Sequence, residues 1–336
     1  MESEIVVSIC CITYNHENYI EDALNGFLNQ KVNFKYEILI HDDASTDRTS
    51  EILKEYEKKY PELIKVIYQN ENQYSKGKYV SRFLYERAKG KYIAKCEGDD
   101  YWINENKLQK QVDFLEKNFE YIATYHNVLV VDKEKKRMKN YQHAIPLYQK
   151  HDLVREDIKK VYVCGHTSSI VCRNFWKNWS EEEKDEYCSK KAPGDGKISL
   201  VFLLTGKVYF FEEICSCYRL VLEGESWTSK AVKKNLALMH YNFLLELEKL
   251  ARAMFKFNYE IDINRFILDS FRIFLKEKTY SNFKIFCQFL IKRKSILDLS
   301  FYILKKMNNK RKKNILTNWP LLQCEEKYLK GTLYEN

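Results

Sequence analysis

The stretch YIAKCEGDDYW, residues 92–102, joins a strand to an acidic tip: Tyr92 to Cys96 reads as a strand and runs directly into Glu97-Gly98-Asp99-Asp100. The same arrangement occurs twice upstream. Ile5 to Ile12, a continuous apolar run suited to a strand covered on both faces, leads into Thr13-Tyr14-Asn15, and Tyr36 to Ile40 leads into His41-Asp42-Asp43. Ile64 to Tyr68 supplies a further strand. Helical signals separate them. Ile20, Ala23, Leu24, Phe27 and Leu28 share one helical face, and Ser45 or Thr46 can cap a helix carrying Ile52, Leu53, Tyr56 and Tyr60 that stops before Pro61. A helix around Tyr79 to Ala88 ends at Gly90. This alternation predicts an α/β fold with a mainly parallel sheet flanked by helices. Such sheets bind ligands beyond the carboxyl ends of their strands, so three polar tips converge on one edge.

Downstream of about Val161 the pattern loosens. A strand-like stretch, Ser168 to Cys172, is followed by the turn Pro193-Gly194-Asp195-Gly196, a helix with Ile198, Val201, Phe202 and Leu204 that stops at Gly206, and strands at Lys207 to Phe211 and Ile214 to Leu220. After Lys230 the period is helical throughout, first in Leu236, Met239, Phe243, Leu244, Leu247 and Leu250 and again in Phe266, Ile267, Ser270, Phe271 and Phe274. Charge divides the chain at the same place. Residues 1–230 hold 35 Lys+Arg against 37 Asp+Glu, whereas residues 231–336 hold 21 against 10, so the net +9 of the chain lies entirely in the second part. We therefore expect a catalytic or binding domain at 1–230 and a basic α-helical region at 231–336.

Composition narrows the class. Among 336 residues, 45% are apolar and 31% charged, with only 10 Gly and 4 Pro, which excludes collagen-like, low-complexity and largely disordered chains. No uncharged apolar run approaches the roughly 18 residues of a membrane-spanning helix, and the start, MESEIVVSICCITYN, is acidic where a secretory leader is basic. A cytoplasmic protein is the expectation. The 10 cysteines show no framework spacing, and Cys215 and Cys217 lack a second pair, so reduced thiols without zinc are expected.

Five carboxylates on two tips, Asp42, Asp43, Glu97, Asp99 and Asp100, repel one another unless something compensates. Each taken singly reads as a solvated loop acid or helix cap; as a cluster they suit a hard divalent cation, which takes oxygen ligands and needs only one or two carboxylates when substrate phosphates fill the rest. A nucleotide diphosphate held through that metal follows.

Several segments carry a family resemblance: ITYN (Ile12 to Asn15), HDDASTDRT (His41 to Thr49), CEGDDYW (Cys96 to Trp102) with Lys107-Leu108 after it, GHTSSIVCR (Gly165 to Arg173), Gly194-Asp195, and Tyr218-Arg219 with Trp227 downstream. In order and spacing the set resembles family 2 glycosyltransferases, from residue 5 to about 230. The resemblance implies a GT-A fold, an inverting reaction, Mn²⁺ or Mg²⁺, and a nucleotide-sugar donor, UDP-linked by family habit. It places Tyr14 and Asn15 along the base, Asp43 with Asp42 in hydrogen bonds to it, Glu97 toward the ribose, Asp99 on the metal, Asp100 in support of either contact, and Asp195 as base. Two positions depart from the family pattern: Glu97 replaces the first Asp of D-x-D, and Val221 stands where relatives carry His. The acceptor implied is a saccharide, a lipid-linked saccharide or a glycoprotein, in bacterial surface polysaccharide or glycoconjugate assembly.

An inverting displacement needs a base on one face of the sugar and charge neutralisation on the other, and a positioned base contributes about 10²- to 10⁴-fold. Asp195 reads either as that base or as a helix N-cap. Arg219 reads as a diphosphate ligand or as a brace for a loop acid. Trp102 and Trp227 are acceptor-side candidates, Trp102 more readily packing. In residues 286–313, basic clusters alternate with an apolar stripe, which suits an anionic membrane surface, a solvated helical bundle or a self-association face. Nucleic acid is set aside for want of a recognised motif. The rival to an enzyme is a non-catalytic nucleotide-sugar or nucleic-acid binding protein with the same pocket.

Overall fold

The computed structural model describes residues 4–159, 163–221, 236–258, 266–268, 270–271, 273, 275 and 279–291. Two compact units divide the chain, Met1–Leu220 and Val221–Asn336. The expected boundary near residue 230, like Trp227 and the basic clusters from Lys292 on, lies outside the described residues.

The first unit begins with the expected alternation: β1 (Ile5–Thr13), α1 (Ile20–Leu28), β2 (Lys35–Asp42), α2 (Thr49–Lys59), β3 (Ile64–Tyr68), α3 (Ser81–Tyr85) and β4 (Tyr92–Glu97). β1 pairs in parallel with β2 on one side and β4 on the other, and β3 extends the block beyond β2. Their apolar runs follow from this placement. Val7, Ile9, Ile38, Ile40, Ala94 and Cys96 are covered on one face by Leu24 and Phe27 of α1 together with Trp102 and Leu108.

The remainder comprises β5 (Tyr101–Trp102), α4 (Lys107–Lys117), β6 (Tyr121–Val131), β7 (His151–Leu153), β8 (Val171–Arg173), α5 (Glu181–Ser189), α6 (Gly194–Thr205) and β9 (Lys207–Arg219). The sheet order is β3-β2-β1-β4-β8-β6-β9-β5, with β7 on β9. Beyond β4 the directions mix: β8 is antiparallel to β4 and β6, whereas β9 runs parallel to β6.

Several local expectations change. Neither Ser45 nor Thr46 caps α2, which starts at Thr49, because their hydroxyls are taken by Asp42 and Asn15. The helix expected over 79–88 contracts to Ser81–Tyr85. Ser168 and Ser169 lie in a 3₁₀ turn ahead of a three-residue strand. The two strands expected over 207–220 form one, since the register slip against β6 at Asn127 absorbs Glu212-Glu213 as a bulge. Asn127 fills it, donating through Nδ2 to the carbonyl oxygens of Glu212 and Tyr148, both at 2.7 Å. Among the described cysteines every thiol is free, as expected.

In the second unit, helices Leu236–Phe255 and Tyr280–Ile291 keep the periodicity read from the sequence. Tyr241 and Phe266 pack on Phe289 with ring centroids 5.1 and 5.9 Å apart, so part of the apolar stripe proposed for a membrane face is core.

Gly90 joins β4 to β1. Its N–H donates to Ser8 Oγ (2.8 Å), Ser8 Oγ donates to Glu37 Oε1 (2.6 Å), and Asn174 Nδ2 donates to the Gly90 carbonyl (2.9 Å). A Cβ at residue 90 would stand 2.5 Å from Ser8 N and 2.7 Å from Val7 C, both backbone atoms that cannot yield cheaply. Gly90→Ala is expected to destabilise the chain by about 1–3 kcal/mol, read by urea unfolding; an unchanged midpoint would refute this packing.

Candidate functional site

The parallel register fixes where the polar tips end. Thr13 lies opposite Asp42 and Ile12 opposite Glu97, while Asp43 N–H donates to Thr13 O (3.0 Å) and Gly98 N–H to Ile12 O (2.9 Å). The Asp43 and Gly98 backbones thus flank the end of β1, two strand spacings or about 10 Å apart.

On the β2 side the acids organise backbone. Asp42 is buried; its Oδ1 accepts from Ser45 N–H (3.1 Å) and Ser45 Oγ (2.5 Å), and its Oδ2 from Ser50 Oγ. Asp43, also buried, accepts from Gln73 N–H (2.8 Å) and Tyr74 N–H (3.0 Å), clamping the loop after β3. Asn15 sits at φ 55°, a left-handed conformation that Asn tolerates. Its Oδ1 accepts from Thr46 N–H (2.8 Å) and its own N–H reaches Ser45 Oγ (3.0 Å). Tyr14 next to it is exposed at 42%.

On the β4 side the acids are crowded. Glu97 reaches solvent, yet the protein packed around it and the Asp99 charge push its carboxyl up to about 7, with Lys95 opposing and Asp195 adding to the rise. Asp99 is partly exposed, and His16 Nε2 is 3.8 Å from its Oδ2. Asp100 is buried; its Oδ1 accepts from Arg219 N–H (3.0 Å), and burial followed by the Asp99 and Glu97 charges raises it well above the carboxylate range. His166 Nδ1 lies 3.8 Å from Asp100 Oδ2.

Arg219 decides between the two roles weighed for it. Its side chain is fully covered, donating to the Asp99 carbonyl (2.5 Å) and to Asp22 Oδ2 on α1 (2.7 Å), with Cζ 4.5 Å from the Tyr19 ring centroid and 5.1 Å from that of Tyr101. This is the bracing arrangement. Trp102 likewise packs in the core. It is 4% exposed, donates through Nε1 to Ser168 O (2.8 Å) and meets Phe27 edge-on, so its ring is covered where an acceptor-side role needs it open.

Asp195 is the second residue of α6 and does not cap it, since Pro193 holds the N-cap position. Its Oδ1 accepts from Gly196 N–H (2.7 Å). Burial raises its pKa, opposed by that N–H and by Lys95. The first turn of α6 is held by Lys197, whose ammonium lies over the Tyr79 and Tyr187 rings (3.9 and 4.7 Å) and donates to Tyr187 O (3.0 Å).

Lys95 escaped the sequence reading. It is buried two residues before Glu97, on the same strand face, and its charge acts on both Glu97 and Asp195. A lysine inside an otherwise apolar, two-face-covered strand was the available signal. Glu97 is thus the point where the β4 tip and α6 meet electrostatically. Among the described residues, no group of three His, Cys, Asp or Glu side chains forms a ready-made metal cage.

Comparisons with known proteins bear on the family and the fold. An uncharacterised protein of Mycobacterium tuberculosis is 32% identical over 219 residues, covering 65% of this chain and 60% of that protein. An uncharacterised glycosyltransferase of Methanocaldococcus jannaschii is 26% identical over 180 residues, covering 53% and 60%. The chain thus spans about 60% of the length of these relatives. Staphylococcus aureus TarS residues 1–349, solved with UDP-GlcNAc, superimposes at a TM-score of 0.50 with 16% identity, over 79% of this chain and 81% of that one, a likeness of fold to a GT-A enzyme. The sequence model described as glycosyl transferase family 2 matches residues 8–179, about half of the chain and the part that builds the acidic edge, and the chain therefore belongs to that family of glycosyltransferases.

Proposed function

We propose that the chain transfers a sugar with inversion from a nucleotide-diphosphate sugar, UDP-linked, to a hydroxyl of a saccharide or glycoconjugate acceptor. The observation that carries this reading is Glu97, whose carboxyl is raised first by burial, then by the Asp99 charge and least by that of Asp195, so acids from β4 and α6 act on one group.

Asp195 would accept the proton of the attacking hydroxyl. Burial raises its affinity for that proton, which suits a base working near neutral pH. Tyr14 and Asn15 would border the nucleoside base, with Asp42 and Asp43 shaping that wall through the loops they clamp and Glu97 facing the ribose. Asp99 fits a hard cation: among the described residues, no side chain donates a hydrogen bond to its carboxylate, and the absence of a protein cage suits a metal completed by substrate oxygens. Mn²⁺ or Mg²⁺ held there would offset charge on the departing diphosphate. Arg219 would act as a positioning residue, keeping the Asp99-Asp100 turn against α1. We place the enzyme in the cytoplasm, at the inner membrane face, with the second unit serving acceptor or membrane contacts; the basic clusters of the sequence support that placement.

Asp195→Asn is expected to lower transfer by about 10²- to 10⁴-fold while UDP affinity, measured by calorimetry, stays unchanged; equal activity would remove Asp195 as base. A base must be deprotonated to act, so kcat/KM should fall as pH drops through the pKa of Asp195. That acidic limb should lie above the ordinary carboxylate pKa of about 4, and its persistence in the Asn variant would assign it to another group. Arg219→Ala leaves the Asp99 carbonyl unpaired and Asp22 held by Lys135 alone, and should cost about 1–3 kcal/mol of stability. UDP binding should weaken with it; full donor affinity in a folded Arg219→Ala chain would exclude the positioning role.

A further inference from the structure

A cavity of about 250 Å³ opens beside α4 and shares no lining residue with the acidic crevice. Lys107, Gln111 and His126 form its buried part, and Lys110, Phe211 and Glu213 its mouth. Each of the three buried residues carries a polar atom with no hydrogen-bond partner among the described residues: Lys107 Nζ, Gln111 Oε1 and His126 Nε2. Their exposures are 1%, 2% and 1%. Three such atoms on one cavity are unusual, since leaving a buried donor or acceptor unsatisfied costs about 1–3 kcal/mol each.

The chemistry of the three atoms is fixed by their neighbours. Gln111 Nε2 donates to Thr124 Oγ1 (3.0 Å) and to the Ser169 carbonyl (3.0 Å), which sets the amide orientation and leaves Oε1 as an acceptor. His126 Nδ1 lies 2.9 Å from the Asn127 carbonyl oxygen, which only accepts, so Nδ1 carries the hydrogen. Burial keeps the ring neutral, and Nε2 presents a lone pair. Lys107 Nζ donates in either protonation state; it rests on the Trp102 ring, 4.1 Å from the centroid, and burial lowers it to about 7.

One donor and two lone pairs select among ligands. A metal ion meets the N–H donors of Lys107, a fully ionised oxyanion meets two lone pairs, and an apolar ligand leaves all three atoms unsatisfied. Hydroxyl groups accept and donate at once, so neighbouring hydroxyls can satisfy the whole set. Phe211 at the mouth offers an apolar ring to the C–H face of a sugar. Lys110 lies over that ring at 5.4 Å while paired with Glu213, so the entrance is charged on its outer side.

We infer that this cavity is a saccharide subsite, separate from the acidic crevice, in which Lys107, Gln111 and His126 read the hydroxyls of one sugar residue. It needs no turnover, so failure of Asp195 as a base leaves it standing. The test is saturation-transfer NMR on the full chain with a panel of neutral monosaccharides, including glucose, galactose and N-acetylglucosamine, under saturating UDP, with inorganic phosphate titrated in parallel. At least one sugar should bind saturably in the presence of UDP. Its affinity should fall about tenfold in Lys107→Met and in Phe211→Ala. The second variant alters only the mouth, so it tests the subsite even if the first fails to fold. Absence of saturable binding across the panel, marking a cavity that holds water alone, would overturn the inference. So would sugar binding unchanged in Phe211→Ala, or phosphate binding abolished in Lys107→Met without sugar binding.

Discussion

Carboxylates crowded into one turn repel, and the backbone of the Asp99-Asp100 turn is held in place by a buried arginine from the other end of the domain. Arg219 satisfies the Asp99 carbonyl and Asp22 with its side chain and Asp100 with its backbone, and Tyr19 and Tyr101 cover its faces. Burying a charge is tolerable only with partners of this quality. The planar fork of arginine supplies the needed geometry, whereas a lysine presents a single charged point. Everything on the β4 side of the crevice depends on that arrangement.

The β2 side is built by another device. Asp42 and Asp43 spend their oxygens on hydroxyls and backbone N–H groups of adjoining loops, so their lone pairs are satisfied within the protein. Half of the acidic edge is therefore scaffold, while Glu97 and Asp99 keep open oxygens. The two halves of the acidic edge meet through the end of β1.

The parallel half of the sheet was legible because its strands are apolar, short and terminated by abrupt acidic tips. Asp99 and Asp195 stand 96 positions apart in the chain and are grouped by the family resemblance; both charges act on Glu97. The mixed half was harder. The β6 strand Tyr121–Val131 contains His126 and Asn127, polar residues that blunt a strand pattern, and β9 carries Glu212-Glu213, which reads as a turn when it is a bulge sealed by Asn127. α4 keeps a helical period in Leu108, Val112 and Leu115 that the sequence reading passes over, and Lys95 is easily passed over because a strand lysine reads as solvated unless the opposing elements are known. The role of Arg219 turned on burial, which residue spacing does not encode.

The span of that brace also orders events in time. Arg219 meets Asp99 and Asp22 across 120 and 197 positions of chain. A nascent polypeptide exposes its acids long before their counter-ion is synthesised. The early parallel strands can collapse on α1 from local contacts, but the turn bearing Asp99 keeps its mutual repulsion until β9 threads in beside β6. The brace behind that turn is thus a contact that closes only once β9 is in place beside β6.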